Sequence, residues 1–365
     1  MKKKVGGMAK DYELEFIGQT SFYSKKERNV KMYFSEPENG VNKETGILLN
    51  ISGYGGHSNS NIYKKMRKQF ADQYNLMTLQ CDYLGWEFMQ GPKEQFLNEP
   101  WYRERMTTEA FEGFLQAIKQ GDATEYYKEY GLILCEHLEE TLDNYNDQGI
   151  LQAIDNLDAL KILLDILDSN GFIYNKRKIL VMGHSHGAYI AYLCNRYQPN
   201  VFSMIIDNSS YLNPVYLNVA RGIRVWSGYV KEIVFTYLVS KMRIDSELYD
   251  MNSMYENFDN KATILSFHGI DDSFLSLQEK REFLAKIPNT ILEVIDENRI
   301  NDIFKSCNHG LDADFIKLFD YVWQQYPQHL VKKEDLKFIE HEINTCTNCY
   351  KVDMSLGVPR LLINV

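Results

Sequence analysis

Residues 183–187 read Gly-His-Ser-His-Gly and place Ser185 between two glycines. The apolar run 179–182 precedes this segment and the run 188–193 follows it, so the pattern predicts a strand, a tight turn and a helix with the serine at the apex. Such a turn exposes the hydroxyl and leaves the first helical N–H groups facing any negative charge that develops there. The segment therefore indicates nucleophilic attack by Ser185, which needs a base and an anion-binding site elsewhere in the chain.

Candidate partners for Ser185 follow two later apolar runs. The run 263–267 is followed by two aspartates, and the run 290–295 by a polar loop that ends at His309. The carboxyl ends of parallel strands meet at the edge where open α/β sheets bind ligands, so we expect these groups near Ser185. His309 would take the proton of Ser185, and a carboxylate would orient the imidazole and stabilise its charged form.

Three aspartates are candidates for that carboxylate: Asp271, Asp272, and Asp207 at the end of the preceding strand. The chain order Ser, Asp, His and the turn His-Gly-Ile-Asp-Asp at 268–272 resemble α/β-hydrolase serine esterases and peptidases. The resemblance covers about residues 46–325. It implies that Asp272 is the acid and that the reaction requires no cofactor. In overall character, though in no single motif, the chain also resembles an uncharacterised bacterial family found with flagellin-glycosylation enzymes.

The segment 52–56, Ser-Gly-Tyr-Gly-Gly, follows the apolar run 46–51. It lies at the position where the similar esterases and peptidases have the loop that binds the oxyanion. Their common His-Gly-Gly pattern is replaced here by Ser-Gly-Tyr. The candidate donors are the backbone N–H of His186 and that of Tyr54 or Gly55. A strand-ending turn that merely needs glycines is the alternative interpretation.

The pattern of strands and helices predicts an α/β-hydrolase fold, with an eight-stranded, mostly parallel sheet flanked by helices. Its strands are expected at 12–17, 30–34, 46–51, 76–81, 179–182, 202–206, 263–267 and 290–295. One domain, 1–325, would carry helical lid insertions at 86–145 and 211–258. Helices are expected at 107–119 and 125–144 in the first. In the second we interpret Trp226 and its arginines as a lid helix, with binding of an acidic or sugar-bearing substrate as the alternative. The extension 326–365 would pack on the core as a helix and an extended end.

Composition excludes several classes of protein. The chain has 365 residues, 44% of them hydrophobic, and a net charge of −10, which argues against a nucleic-acid partner. No apolar stretch approaches the roughly 20 residues of a membrane helix, and no signal peptide is recognised, so we expect a cytoplasmic protein without a membrane partner.

Two groups of residues invite a metal interpretation. Cys346 and Cys349 form a lone C-x-x-C without a second pair, so we interpret them as incidental thiols. His184 and His186 flank Ser185 on opposite sides of the turn and, like His57, are expected to be packed or hydrogen-bonded; no metal site is predicted.

These inferences predict a serine hydrolase that forms an acyl-enzyme on Ser185, with Asp272 and His309 as its partners. The favoured substrate is a carboxylic ester of a small molecule or an acylated sugar, and no cofactor is expected. A peptidase or an acyltransferase with the same three residues is one alternative, and a non-catalytic binding protein of the same fold is another. The sequence leaves the natural substrate and the oligomeric state open.

Overall fold

The computed structural model describes residues 8–242 and 245–364. The strands in this part of the chain are β1 (Lys10–Gly18), β2 (Arg28–Glu36), β3 (Gly46–Ile51), β4 (Leu76–Cys81), β5 (Phe96–Leu97), β6 (Leu132–Cys135), β7 (Ile179–His184), β8 (Met204–Asn208), β9 (Arg221–Trp226), β10 (Val230–Phe235), β11 (Thr263–Gly269), β12 (Thr290–Ile295), β13 (His341–Asn344), β14 (Cys349–Asp353) and β15 (Arg360–Asn364). The α-helices are α1 (Asn61–Tyr74), α2 (Glu99–Arg103), α3 (Thr108–Gln120), α4 (Thr124–Tyr130), α5 (Ile150–Ser169), α6 (His186–Tyr197), α7 (Met251–Tyr255), α8 (Leu277–Leu284) and α9 (Phe315–Gln325). None of these helices combines the length and the apolar character that crossing a membrane requires.

Eight strands form the main sheet, in the order β1-β2-β4-β3-β7-β8-β11-β12. The pairs β1/β2 and β2/β4 are antiparallel, and all the other neighbours in this sheet are parallel. Counted within the sheet alone, the order is 1-2-4-3-5-6-7-8, which is the α/β-hydrolase order. The predicted fold is confirmed, and the carboxyl ends of β7, β8, β11 and β12 lie along one edge.

The central strands are buried on both faces, as their continuous apolar sequences require. Every residue of β3, β4 and β8 is buried. Phe70 of α1 and Phe319 of α9 lie 4.6 Å apart between ring centres, in the same buried cluster as Leu48 and Leu180 of the sheet. These helices therefore cover the core side of the sheet. The strands can end in polar residues at the sheet edge, because the core itself stays covered.

The chain divides into two compact units, and the larger one contains the main sheet. It combines the described residues of Met1–Gln90, Leu142–Pro214 and Arg243–Val365. The smaller unit combines Gly91–Thr141 with Val215–Met242 and has its own sheet, of order β5-β6-β10-β9. Its buried cluster includes Tyr102, Phe111 and Phe114.

The insertions, expected to be helical, contain the helices α2, α3 and α4 and also this sheet, which was not expected. The helix expected at 125–144 ends at Tyr130, where Gly131 has a φ of +81°, and the chain continues as β6. The expected lid helix around Trp226 is instead the hairpin β9/β10, with Gly228 at a φ of +80° in its turn. Alternating β-branched residues and a turn glycine favour a hairpin, and the side chain of Trp226 is 72% exposed.

The final residues form the antiparallel sheet β13-β14-β15. The extended end expected at 361–363 is confirmed as β15, whereas the helix expected in this extension is only a short 3₁₀ turn, Pro327–His329. The Arg360 guanidinium pairs with the Asp158 carboxylate of α5 at 2.6 Å. Gln19 exchanges two side-chain hydrogen bonds with the backbone of Leu361, at 2.7 and 2.8 Å, so β15 is fixed to the larger unit.

Asp147, just before α5, is a buried carboxyl that accepts hydrogen bonds from backbone N–H groups. It accepts the N–H of Gly149 at 3.1 Å and the N–H of Leu151. Burial raises the pKa of Asp147 to about 7, because the surrounding apolar residues disfavour its charged form.

The free energy of unfolding should therefore fall as the pH rises from about 4 to 7. The folded state holds the Asp147 proton over this interval and the unfolded state releases it, so their difference decreases by up to about 4 kcal/mol. Urea unfolding at several pH values should show this component in the wild-type protein and in the exposed control Asp122→Asn, and not in Asp147→Asn. Parallel pH profiles for the wild type and Asp147→Asn would contradict the assignment.

Candidate active site

Ser185 occupies a strained turn between β7 and α6. Its φ is +52° and its ψ is −116°, a conformation that side-chain-bearing residues rarely adopt. A Cβ atom at Gly183 would lie 2.3 Å from the Ala188 nitrogen, and one at Gly187 would lie 2.2 Å from the Ile51 oxygen. Only glycine fits these two positions, so the two glycines of the motif are required for the turn.

The structure brings Ser185, His309 and Asp272 into one hydrogen-bonded chain. The Ser185 Oγ lies 2.7 Å from His309 Nε2. His309 Nδ1 lies 2.9 and 3.0 Å from the two carboxylate oxygens of Asp272. If Nδ1–H donates to Asp272, Nε2 can accept the Ser185 proton, which is the tautomer that general-base chemistry needs.

Asp272 is held in its ionised form by several donors. Its side chain is 1% exposed, and it also accepts the N–H groups of Phe274 at 2.8 Å and Leu275 at 3.3 Å. Burial raises the pKa of Asp272, but the hydrogen bonds from His309 and Phe274 outweigh it and leave that pKa below its usual value. Asp271, the neighbouring candidate, is exposed.

The loop that carries His309 is fixed to the sheet edge by a side-chain hydrogen bond and by close packing. Asn208 at the end of β8 donates its Nδ2–H to the Gly310 oxygen at 3.3 Å. A Cβ at Gly310, whose φ is +82°, would lie 2.6 Å from the His184 ring. The Phe274 ring lies 4.5 Å from the His309 ring between centres.

His184 and His186 are packed into different surroundings, as expected from their opposite sides of the turn. The His184 ring lies 5.0 Å from that of Phe315, and burial lowers the pKa of His184 to about 4. His186 is fully buried, with Nε2 2.6 Å from Gln152 Oε1 and Nδ1 hydrogen-bonded to the Tyr211 hydroxyl.

His57 accepts the Asn59 N–H at 3.1 Å and contacts the Trp86 ring. Within residues 8–242 and 245–364, no group of three or more His, Cys, Asp or Glu side chains is arranged to hold a metal ion.

The glycine loop 52–56 lies against the Ser185 turn. A Cβ at Gly53 would lie 2.5 Å from the His184 oxygen. The Gly55 N–H donates to the Met89 oxygen at 3.0 Å, which argues against Gly55 as an oxyanion donor in this conformation. The Tyr54 ring lies 5.0 Å from the His186 ring, and His186 is the first residue of α6, where N–H groups point out of the helix end. Tyr54 and His186 are thus the candidates that remain.

Asp207, the third candidate acid, belongs to a separate buried network. Its carboxylate pairs with the Lys280 ammonium at 2.7 Å, and both side chains are fully buried. It also accepts the hydroxyls of Ser266 at 2.8 Å, Tyr192 at 2.9 Å and Ser210 at 3.0 Å. Burial raises the pKa of Asp207, but Lys280, the backbone N–H of Ser210 and the hydroxyl of Ser266 together lower it by more, so the net shift is downward.

Sequence reasoning missed Gln152 and Tyr211, which hold His186, and Lys280, which compensates the Asp207 carboxylate in the neighbouring network. A signal existed for Lys280, because it shares one helical face with Leu277 and Leu284, both apolar. A lysine on an apolar face indicates a buried partner. No comparable signal marks Gln152 or Tyr211, which lie 34 and 25 positions from His186.

Comparison with known proteins gives one family match and a number of similar solved structures. Residues 98–230 match a family described as a protein of unknown function, DUF2920. No curated protein sequence matches the chain significantly. The fold assignment rests on the strand order given above.

Three solved structures illustrate the similarity. Est1E from Butyrivibrio proteoclasticus is 13% identical, with 86% of this chain and 100% of that chain covered and a TM-score of 0.44. The acylaminoacyl peptidase of Pyrococcus horikoshii is 13% identical, with 92% and 44% covered and a TM-score of 0.49. An S-formylglutathione hydrolase from Agrobacterium tumefaciens is 14% identical, with 89% and 95% covered and a TM-score of 0.43.

Lys280→Met should destabilise the protein by about 3–5 kcal/mol, because it leaves the Asp207 carboxylate buried without its cation. Urea unfolding measures the loss, with exposed Lys286→Met as the matched control, which should change stability by less than about 0.5 kcal/mol. Adding Asp207→Asn to Lys280→Met should recover part of the loss. Equal stability of the two lysine variants would contradict the importance of this pair.

Proposed function

We propose that the protein is a serine hydrolase that forms an acyl-enzyme on Ser185, acting on a carboxylic ester of a small molecule or an acylated sugar. The observation that carries the proposal is the contact of Ser185 Oγ with His309 Nε2 at 2.7 Å, in line with the contact of His309 Nδ1 with Asp272 at 2.9 Å. Nucleophile, base and orienting carboxylate are the parts that acyl transfer requires.

In the proposed reaction, His309 takes the Ser185 proton as Oγ attacks the ester carbonyl. The carbonyl oxygen becomes an oxyanion, which the backbone N–H groups of His186 and Tyr54 would stabilise. Collapse of this intermediate breaks the ester bond, and His309 returns the proton to the departing alcohol. Water, activated by His309, then attacks the acyl-enzyme and releases the acid and free Ser185.

An ester is the substrate class for which these groups suffice, since its alcohol needs only the proton from His309 to leave. A peptidase would need a further site for the substrate amine, and an acyltransferase a site for a second acceptor. We propose a cytoplasmic location, and the thiols of Cys81, Cys135, Cys194, Cys307 and Cys346 are in keeping with a reducing compartment.

A fluorophosphonate should add once to the folded protein and not to Ser185→Ala, because only an activated serine reacts. Intact mass spectrometry measures the adduct, with Ser273→Ala, an exposed serine next to Asp272, as the control that keeps it. The same adduct on Ser185→Ala would contradict the assignment of the nucleophile. No adduct on folded wild-type protein would favour the non-catalytic binding protein.

Asp272→Asn should lower kcat for a p-nitrophenyl ester by about 10⁴-fold, because the amide favours the wrong His309 tautomer. The matched control is Asp271→Asn, which keeps the fold and removes an exposed carboxylate; it should retain wild-type kcat within a few-fold. A large loss in Asp271→Asn together with an active Asp272→Asn would show that the acid is misassigned. Circular dichroism of both variants checks that they fold.

A further inference from the structure

A cavity of about 700 Å³ lies at the edge of the main sheet opposite to Ser185. Its lining includes Ser203, just before β8, and Thr263, the first residue of β11, whereas Asp272 follows the far end of β11. With about 3.3 Å per residue, the length of β11 separates the cavity from the candidate active site by about 20 Å. The cavity is therefore not a subsite of the Ser185 chemistry.

The outer wall of the cavity is the segment 328–337, which is fixed by its backbone. The N–H groups of Lys332 and Lys337 donate to the oxygens of Arg177 and Asn200, each at 2.9 Å. The Ser203 hydroxyl donates to the Leu330 oxygen at 2.9 Å. The wall is thus held at several points, which gives the cavity a defined shape.

The charge of the lining is opposite to that of the chain. Four lysines line the cavity against two carboxylates, although the whole chain carries −10. These charged residues are Lys261, Lys332, Lys333, Lys337, Glu334 and Asp335. A surplus of positive charge in a concave site attracts anions.

One of these four lysines, Lys332, has a buried Nζ atom with no hydrogen-bond partner among the described residues. Burial and the nearby Lys261 lower the pKa of Lys332 to about 8, because both disfavour its charged form. An ammonium group removed from water without an acceptor is costly, and a bound anion would supply the missing acceptor.

We propose that this cavity binds a small organic phosphate, with Lys332 as a ligand of the phosphate group. Several lysines around one site favour a multiply charged phosphate over a single carboxylate. The volume is in the range of small-molecule sites and exceeds what a bare phosphate fills, so an organic part has room beside it. The amides of Asn200 and Asn289, which also line the cavity, are neutral hydrogen-bonding groups for that part. This proposal does not depend on the chemistry of Ser185.

Isothermal titration with inorganic phosphate and pyrophosphate, at constant ionic strength in chloride, tests the site. Wild-type protein and Lys65→Met, an exposed lysine outside the cavity, should bind both anions with equal affinity. Lys332→Met should bind at least tenfold more weakly, and Lys261→Met should show a smaller loss. Thermal unfolding should rise with phosphate in the first two proteins and not in Lys332→Met.

Lys332→Met is expected to fold, because it replaces an uncompensated buried ammonium with an apolar side chain of similar length. Lys332→Gln and Lys337→Met provide the same test if that variant is unstable. The proposal is overturned if wild-type protein binds phosphate no better than chloride, or if all the lysine variants bind it as the wild type does.

Discussion

The arrangement around Ser185 depends on one residue, Asn208, at the carboxyl end of β8. Its carbonyl oxygen accepts the Ser185 N–H at 2.8 Å, and its amide contacts the Gly310 oxygen and His184 Nδ1, both at 3.3 Å. The strained serine turn and the histidine loop are thus joined through a single strand end. Because β8 is buried along its whole length, this junction cannot shift without disturbing the sheet.

Two buried carboxylates at neighbouring strand ends have different partners. Asp207, at the end of β8, is compensated by Lys280, and no titratable group of the candidate site contacts it directly. Asp272, after β11, has no lysine or arginine in contact within the described residues and interacts with His309 instead. The second arrangement leaves a carboxylate in direct contact with the imidazole that also contacts Ser185.

The sheet could be predicted from the sequence where strands are continuous apolar runs. The strands 46–51, 76–81 and 290–295 agree with the structure at both ends. The insertions could not be predicted in this way. Residues 131–144 mix aliphatic and charged residues, and residues 221–235 mix aromatic, charged and β-branched residues, and such mixtures suit a helix or a hairpin. Their conformation is decided by pairing between segments far apart in the chain.

The candidate site also has parts that could be predicted from the sequence and parts that could not. Ser185 and His309 follow from motif and order, and the choice of Asp272 over Asp207 required a resemblance, because the partner of Asp207 lies 73 positions away. The hydrogen bond from the Gly55 N–H to the Met89 oxygen joins two backbone groups, so no residue type in the sequence indicates it. Long-range partners of this kind are decided by tertiary packing.

The smaller unit also has a consequence for the order of folding. Its strands β6 and β10 pair in parallel, Leu132 with Lys231, and Val234 packs against the cluster that contains Tyr102 and Phe114. Neither segment can complete this unit alone, so its sheet cannot close on the ribosome until the chain beyond Phe235 has emerged. By then β7 and β8 of the main sheet have already been synthesised, and the larger unit can begin to assemble first.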